Sequence, residues 1–240
     1  MFLGFRTFRM VENCCDINRG TMFSNEENPS PLLRIASLLP SATEICGALG
    51  LAEHVKGITH ECDVLFTPNI INSEYKYSSI QDALSQNAVR VVTTSEINPH
   101  VLDQGTIDRM VKESLAQQVS LYSVKQDTFD EIKPNIIITQ QLCDVCAPSM
   151  RDVNEAIAAA KNSEIKILSL EPTSLLQVAE TFVAVAKACD VEERGVQLKS
   201  HFLENLSLLQ SKIQIQSAIN NKDRESVLLQ PKVLLLEWLD

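Results

Sequence analysis

Short apolar runs alternate along the chain with stretches of helical periodicity. Residues 33–39 (LRIASLL), 55–59 (VKGIT) and 165–170 (IKILSL) are strand-length runs, as is the isoleucine run inside 135–139 (NIIIT). Such runs fit strands of a parallel sheet, buried on both faces. Weaker β-like pieces fall at 89–93 and 119–122, and a last strand at 232–236. Between the runs, apolar positions recur every three or four residues. Ile107, Met110, Val111 and Leu115 mark a helix over 104–118, and Val153, Ala156, Ile157 and Ala160 another over 149–161. Leu175, Val178, Phe182, Val185 and Ala186 mark a third, while Val196, Leu198, Phe202, Leu206, Leu209 and Ile213 continue the period over 192–217. That last helix would reach roughly 35–40 Å at ~1.5 Å per residue, the length of a brace between two lobes. Strands alternating with helices predict an α/β protein with a Rossmann-like parallel sheet.

Helix boundaries can be read from local chemistry. Pro40 ends the first strand, and Ser41 with Glu44 reads as a capping box opening a helix that Gly50 stops. Asp127 caps a short helix that Lys133 and Pro134 end, and a further short helix falls at 79–86. Ser149 with Asp152 opens the helix over 149–161, and Thr173 or Ser174 caps the one after the 165–170 strand. The turn after the first strand lacks a glycine-rich fingerprint, so neither a dinucleotide loop nor a P-loop is supported. Residues 1–31 read as a disordered leader, 32–190 as a binding lobe, 191–218 as a linking helix and 219–240 as the start of an incomplete second lobe.

Charge and composition narrow the function. A formal net charge of −10 over 240 residues excludes the basic stripes of nucleic-acid binding. No run approaches the ~20 apolar residues of a membrane span. Seven cysteines in a long, glycine-poor chain are an odd number and read as reduced thiols. The N-terminus lacks the continuous apolar stretch and cleavage site of a secretory signal, which points to a cytoplasmic or organellar chain rather than a periplasmic one.

The unusual chemistry sits where the buried runs end. The isoleucine run delivers Gln141, Cys143 and Cys146, and the 55–59 run delivers His60, Glu61 and Cys62. In open α/β sheets, ligands bind outside these carboxyl ends. His60, Cys62, Cys143 and Cys146 offer one imidazole and three thiols, a soft set suited to zinc, copper(I) or the cobalt of a corrinoid. The same thiols also read as small buried hydrophobes, and Cys143 with Cys146 as a C-x-x-C redox pair just before a helix. Glu171 and Glu237 each follow a strand and can line a cleft or serve as turn residues. Trp238, the single tryptophan, can stack on a planar macrocycle or anchor a core. Ser41 reads as a helix cap rather than a nucleophile.

Five stretches together carry a resemblance: RIASLLPSATEICGALGL (34–51), GITHECD (57–63), IITQQLCDVCA (137–147), LSLEPTS (168–174) and LLEWLD (235–240). In this order they resemble the cobalamin-binding proteins of the iron/cobalamin class of periplasmic substrate-binding proteins of ABC importers. The resemblance implies a non-catalytic bilobal protein that takes a corrinoid or metal chelate in an inter-lobe cleft and delivers it to a membrane permease. It places Pro40, Ser41, His60, Glu61, Cys62, Gln141, Cys143, Cys146, Glu171, Glu237 and Trp238 around the ligand. The chain departs from that pattern in three ways. The second lobe is missing beyond its first strand, 65–92 reads as an insertion, and no secretory signal is present. A thiol-dependent redox protein, a zinc-binding protein and a remnant without ligand are the alternatives.

Overall fold

A computed structural model describes residues 30, 32–62, 80–98, 100–117, 119–140, 150–159 and 165–220. Most of the expected leader, part of the expected insertion, the thiol loop with Gln141, Cys143 and Cys146, and the segment with Glu237 and Trp238 lie outside them. The protein is α/β, as its alternating pattern predicts. Five parallel strands form the main sheet, in the order β3 (Arg90–Val91), β2 (Val55–Ile58), β1 (Ile35–Ser37), β6 (Ile136–Thr139), β7 (Lys166–Ser169). β1 and β6 lie at its centre, with Ile35 opposite Ile136 and Ser37 opposite Ile138. Every residue of both strands is buried. That explains why their sequences lack the polar alternation of a half-exposed strand.

Side chains alternate across the sheet, so each strand divides its residues between two helical layers. Ala36, Leu38 and Ile137 join Phe129 and Ile132 of α4 (Gln126–Ile132) and Val153 and Ala156 of α5 (Met150–Ala159) in one core. Ser37 points the other way and accepts a hydrogen bond from Thr43 of α1 (Pro40–Ala48) at 2.8 Å. α1 packs against α6 (Leu175–Ala188). At the amino-terminal edge of the sheet, Asn135 Oδ1 accepts from the Arg34 amide (2.9 Å) and Arg34 Nε donates to Ile132 O (2.6 Å). Those bonds tie β1 to the segment leading into β6.

The helix ends show where local chemistry was read correctly and where it was not. α1 opens two residues earlier than the capping box places it. Leu39 is the N-cap in an extended conformation and no side chain caps it. A residue before proline is pushed out of the helical region, and proline fits the first helical position, so Pro40 rather than Ser41 sets the boundary. Ser41 therefore lies inside the first turn. The carboxyl end behaves as expected: Gly50 takes φ 71°, its amide donates to Gly47 O (3.0 Å) and that of Leu51 to Cys46 O (2.8 Å). These are the two bonds of a Schellman motif. α4 likewise starts at Lys125 with no side-chain cap, so Asp127 is a first-turn acid rather than the cap. α6 has the expected cap: Ser174 accepts from the Gln177 amide at 3.2 Å, and Gln177 Oε1 accepts from the Thr173 amide at 2.6 Å. Its buried stripe begins later than the spacing predicts, because Leu175 is 62% exposed.

The 89–93 run splits between two sheets. Arg90 and Val91 pair with β2. After Val92 the chain leaves as β4 (Thr93–Ser95), antiparallel to β5 (Tyr122–Val124), with Ser95 opposite Tyr122. The helix between them is α3 (Gln104–Gln117), and a short α2 (Ile80–Ser85) precedes β3. In α3 Ile107 and Ser114 are buried while Leu115 is 59% exposed, so its inner face is rotated from the one the apolar spacing marks.

α7 (Glu192–Asn220) is a 29-residue helix, roughly 43 Å long at ~1.5 Å per residue. The chain divides into two compact units within it, Met1–Lys199 and Ser200–Asp240. In the first unit α7 meets α6 at Gly195, where an added Cβ would stand 2.5 Å from Ala186 Cβ and 2.8 Å from Phe182 O. In the second, Leu208, Leu209 and Ile213 are exposed, and Asn205 Nδ2 lies 3.0 Å from His201 Nε2.

Two substitutions separate backbone conformation from close approach. Gly195→Ala drives a methyl into a neighbouring backbone and should lower stability by about 1–3 kcal/mol. Gly50→Ala must hold a left-handed conformation, and should cost about 1 kcal/mol. Urea titration of both variants checks the order; equal, negligible losses would contradict the α6–α7 contact and the Schellman turn alike.

Candidate functional site

The strand order fixes where a ligand-binding crevice can form. From β1 the sheet grows outward through β2 and β3 on one side; from β6 it grows through β7 on the other. β1 and β6 are therefore adjacent strands whose following connections diverge. The crevice of an open α/β sheet lies outside the carboxyl ends of such a pair. At this edge β1 runs into Pro40 and Ser41, and β6 into Thr139 and Gln140. Thr139 Oγ1 is buried and has no hydrogen-bond partner among the described residues.

A line of hydroxyls continues along the same edge. Ser37 Oγ donates to Leu39 O (3.0 Å), and Thr43 Oγ1 donates to Ser37 Oγ. Cys62 Sγ lies 3.3 Å from Thr43 Oγ1 and 3.2 Å from Thr59 Oγ1. Ser37, Thr43, Thr59 and Cys62 are all buried. Next comes His60, two residues beyond β2. Its backbone amide donates to Thr93 Oγ1 (3.1 Å), and its Nδ1 lies 2.8 Å from the same oxygen. The imidazole stacks on Tyr122 with ring centroids 5.5 Å apart. Its other nitrogen, Nε2, lies 3.5 Å from Glu61 Oε1.

Burial favours the neutral form of this imidazole. Burial pushes the His60 pKa below its ordinary value, Lys125 adds to that, and the Glu61 carboxylate opposes both. Burial also raises the Tyr122 phenol, as does Glu61, while a hydrogen bond with Ser95 opposes them. Two further thiols, Cys46 and Cys189, lie in the core and are held protonated by burial, Cys189 pushed up to about 12. Neither has the lowered pKa of a reactive thiol.

The expected site residues are thus distributed. Pro40 and Ser41 stand at the crevice edge in the first turn of α1, Ser41 exposed. His60 and Glu61 face one another, while Cys62 turns into the hydroxyl network and takes different partners from His60. Glu171 is exposed just past β7, where its carboxylate accepts from Ser169 Oγ at 2.8 Å. No group of three His, Cys, Asp or Glu side chains able to hold a metal occurs among the described residues. Any site joining His60 or Cys62 to Cys143 and Cys146 involves the loop outside them. Thr43, Thr59, Thr93 and Tyr122 were not singled out from the sequence. Thr59 and Thr93 each end an apolar run, which is the one local signal they carry. Tyr122 depends on the β4–β5 pairing and has none.

No protein-family model matches the chain, and no curated protein matches it. Among solved structures it is similar to a "possible" iron-binding (periplasmic solute-binding) protein of Staphylococcus epidermidis, at 13% identity and a TM-score of 0.45 over 75% of this chain and 50% of that one. It is also similar to the periplasmic vitamin B12 binding protein BtuF of Vibrio cholerae, at 16% identity and a TM-score of 0.44 over 75% and 50%. The periplasmic heme-binding protein RhuT of Roseiflexus, in its apo form, follows at 18% identity and a TM-score of 0.38 over 70% and 45%. The chain thus spans about half the length of these structures. Among the described residues no helix is long and apolar enough to cross a membrane.

A neutral, partly buried histidine has a consequence for stability. In the unfolded chain His60 titrates near 6.5, and in the folded protein lower. The unfolded state therefore binds the proton more tightly. This contribution is fully present above about pH 6.5 and is lost as the pH falls toward the native value. The melting temperature should drop between pH 7.5 and 5.5, and less steeply in His60→Asn. Equal drops in parent and variant would show that His60 is not the group responsible.

Proposed function

We propose that the chain binds a metal chelate of the cobalamin type, without catalysis, at the carboxyl-terminal edge of its parallel sheet. The observation that carries this reading is the polar edge next to the β1–β6 switch point: Ser37, Thr43, Thr59, His60 and Thr93 lie along it, and Thr139, at the end of β6, has no hydrogen-bond partner among the described residues. The sequence resemblance over 34–240 independently supports a corrinoid as the ligand class. Of the metal donors read from the sequence, His60 and Cys62 lie among the described residues; His60 has its Nε2 next to a solvent-exposed group, Glu61, while Cys62 is buried. The hydroxyl bound to His60 belongs to Thr93, which is 1% exposed and accepts a backbone amide. It is poorly placed as a nucleophile, and this favours binding over bond-making. A membrane permease as delivery partner belongs to the same reading.

Thermal melting of the full chain with cobalamin, cobinamide, haemin or zinc tests it. Ligand at a hundredfold excess over Kd stabilises a folded protein by about 2.7 kcal/mol, a shift of several degrees. A corrinoid or haemin shift that grows with concentration is expected. A shift with zinc alone would move the chemistry to the thiols. Cooperative melting with no shift for any of the four would contradict the reading.

A further inference from the structure

We propose that Thr93 and Tyr122 are positioning residues that hold the His60 imidazole as a nitrogen donor, its Nε2 presented to the metal centre of the incoming chelate. The inference rests on the binding reading above and names how one side chain would serve it.

Three contacts fix the ring. The backbone amide of His60 donates to Thr93 Oγ1 at 3.1 Å, which anchors the turn itself. Nδ1 lies 2.8 Å from the same oxygen, and Tyr122 covers one ring face at 5.5 Å with the planes 30° apart. A hydroxyl oxygen has two lone pairs. One takes the His60 amide proton; in the tautomer the proposal assigns, the other takes the Nδ1 proton, which leaves the Nε2 lone pair unprotonated. The neighbour of Nε2 is Glu61 Oε1 at 3.5 Å, on a side chain 66% exposed and so able to move aside.

Thr93 and Tyr122 come from β4 and β5, and Ser95 stands opposite Tyr122 in their ladder. The small antiparallel sheet thereby supplies the shell behind the donor. A ligating histidine commonly donates its second ring N–H to such a partner, and loss of that partner typically weakens metal binding 10- to 100-fold. The chemistry is a ligand exchange. The Nε2 pair forms a bond to the metal, the bond to a bound water breaks, and that water leaves with its own electrons; nothing is oxidised or reduced.

Titration of the full chain at pH 7.5 with diaquocobinamide, followed by visible absorption and by melting, tests the proposal. The expected result is a spectral shift from water to nitrogen ligation that is absent in His60→Ala. Thr93→Val should weaken binding about 10-fold or more, and Thr93→Ser should restore it. Tyr122→Leu should weaken binding more than Tyr122→Phe. If Thr93→Val does not melt cooperatively, His60→Ala and the two Tyr122 variants decide. A melting shift without a spectral change, or a spectral change that survives His60→Ala, would overturn the positioning role and leave chelate binding standing. No binding by either readout, together with no stabilisation by cobalamin or haemin, would overturn both.

Discussion

Everything in the first compact unit depends on the parallel pairing of two short, wholly buried strands. β1 and β6 have no solvent-facing side, so their branched side chains must be covered by helices on both faces. A parallel pair cannot be joined by a hairpin; each strand must leave through a crossover. The amide of Leu38 donates to Ile138 O at 2.8 Å, carrying the pairing to the end of both strands before they diverge. From that constraint follow the two helical layers, the direction in which each half of the sheet grows, and the edge at which polar loops collect.

The chemistry of that edge is a consequence of where apolar runs stop. Ser37 ends β1, Thr59 follows β2 and Thr139 ends β6; Ser37 and Thr59 bond to nearby backbone groups and to Thr43 and Cys62. Buried hydroxyls need such partners. Thr139, which has none among the described residues, faces the same side of the sheet as Ile137 and lies next to the loop that carries Cys143 and Cys146. Cys62 is absorbed into the hydroxyl line and His60 is not, because the first residue of β4 draws the imidazole toward itself.

Much of the fold was legible in the sequence, and the reasons are specific. The isoleucine run, the 33–39 run and the 55–59 run are strands because burial on both faces leaves few other residues to choose from. Gly50 was readable because a left-handed carboxyl cap strongly favours glycine. Ser41 and Asp127 misled because a capping residue in sequence is a cap only if the backbone leaves the helix there; Pro40 and Lys125 set those boundaries instead. Leu175 and Leu115 are apolar at helical spacing yet exposed, since spacing gives a stripe without saying which helices cover it. The split of 89–93 between two sheets was not readable, as nothing local marks Val92 as the point of departure. For the same reason, His60 could be named from its chemistry, whereas Thr93 and Tyr122 could be named only once β4 and β5 were paired.

The central claim, that the ligand binds at the carboxyl-terminal edge of the sheet, is tested most directly by amide hydrogen exchange of the full chain with and without cobinamide. Protection is expected at residues 37–43, 59–62 and 93–95, with the amino-terminal edge around Arg34 and Asn135 unchanged. Protection confined to the amino-terminal edge, or no change anywhere at saturating cobinamide, would contradict it.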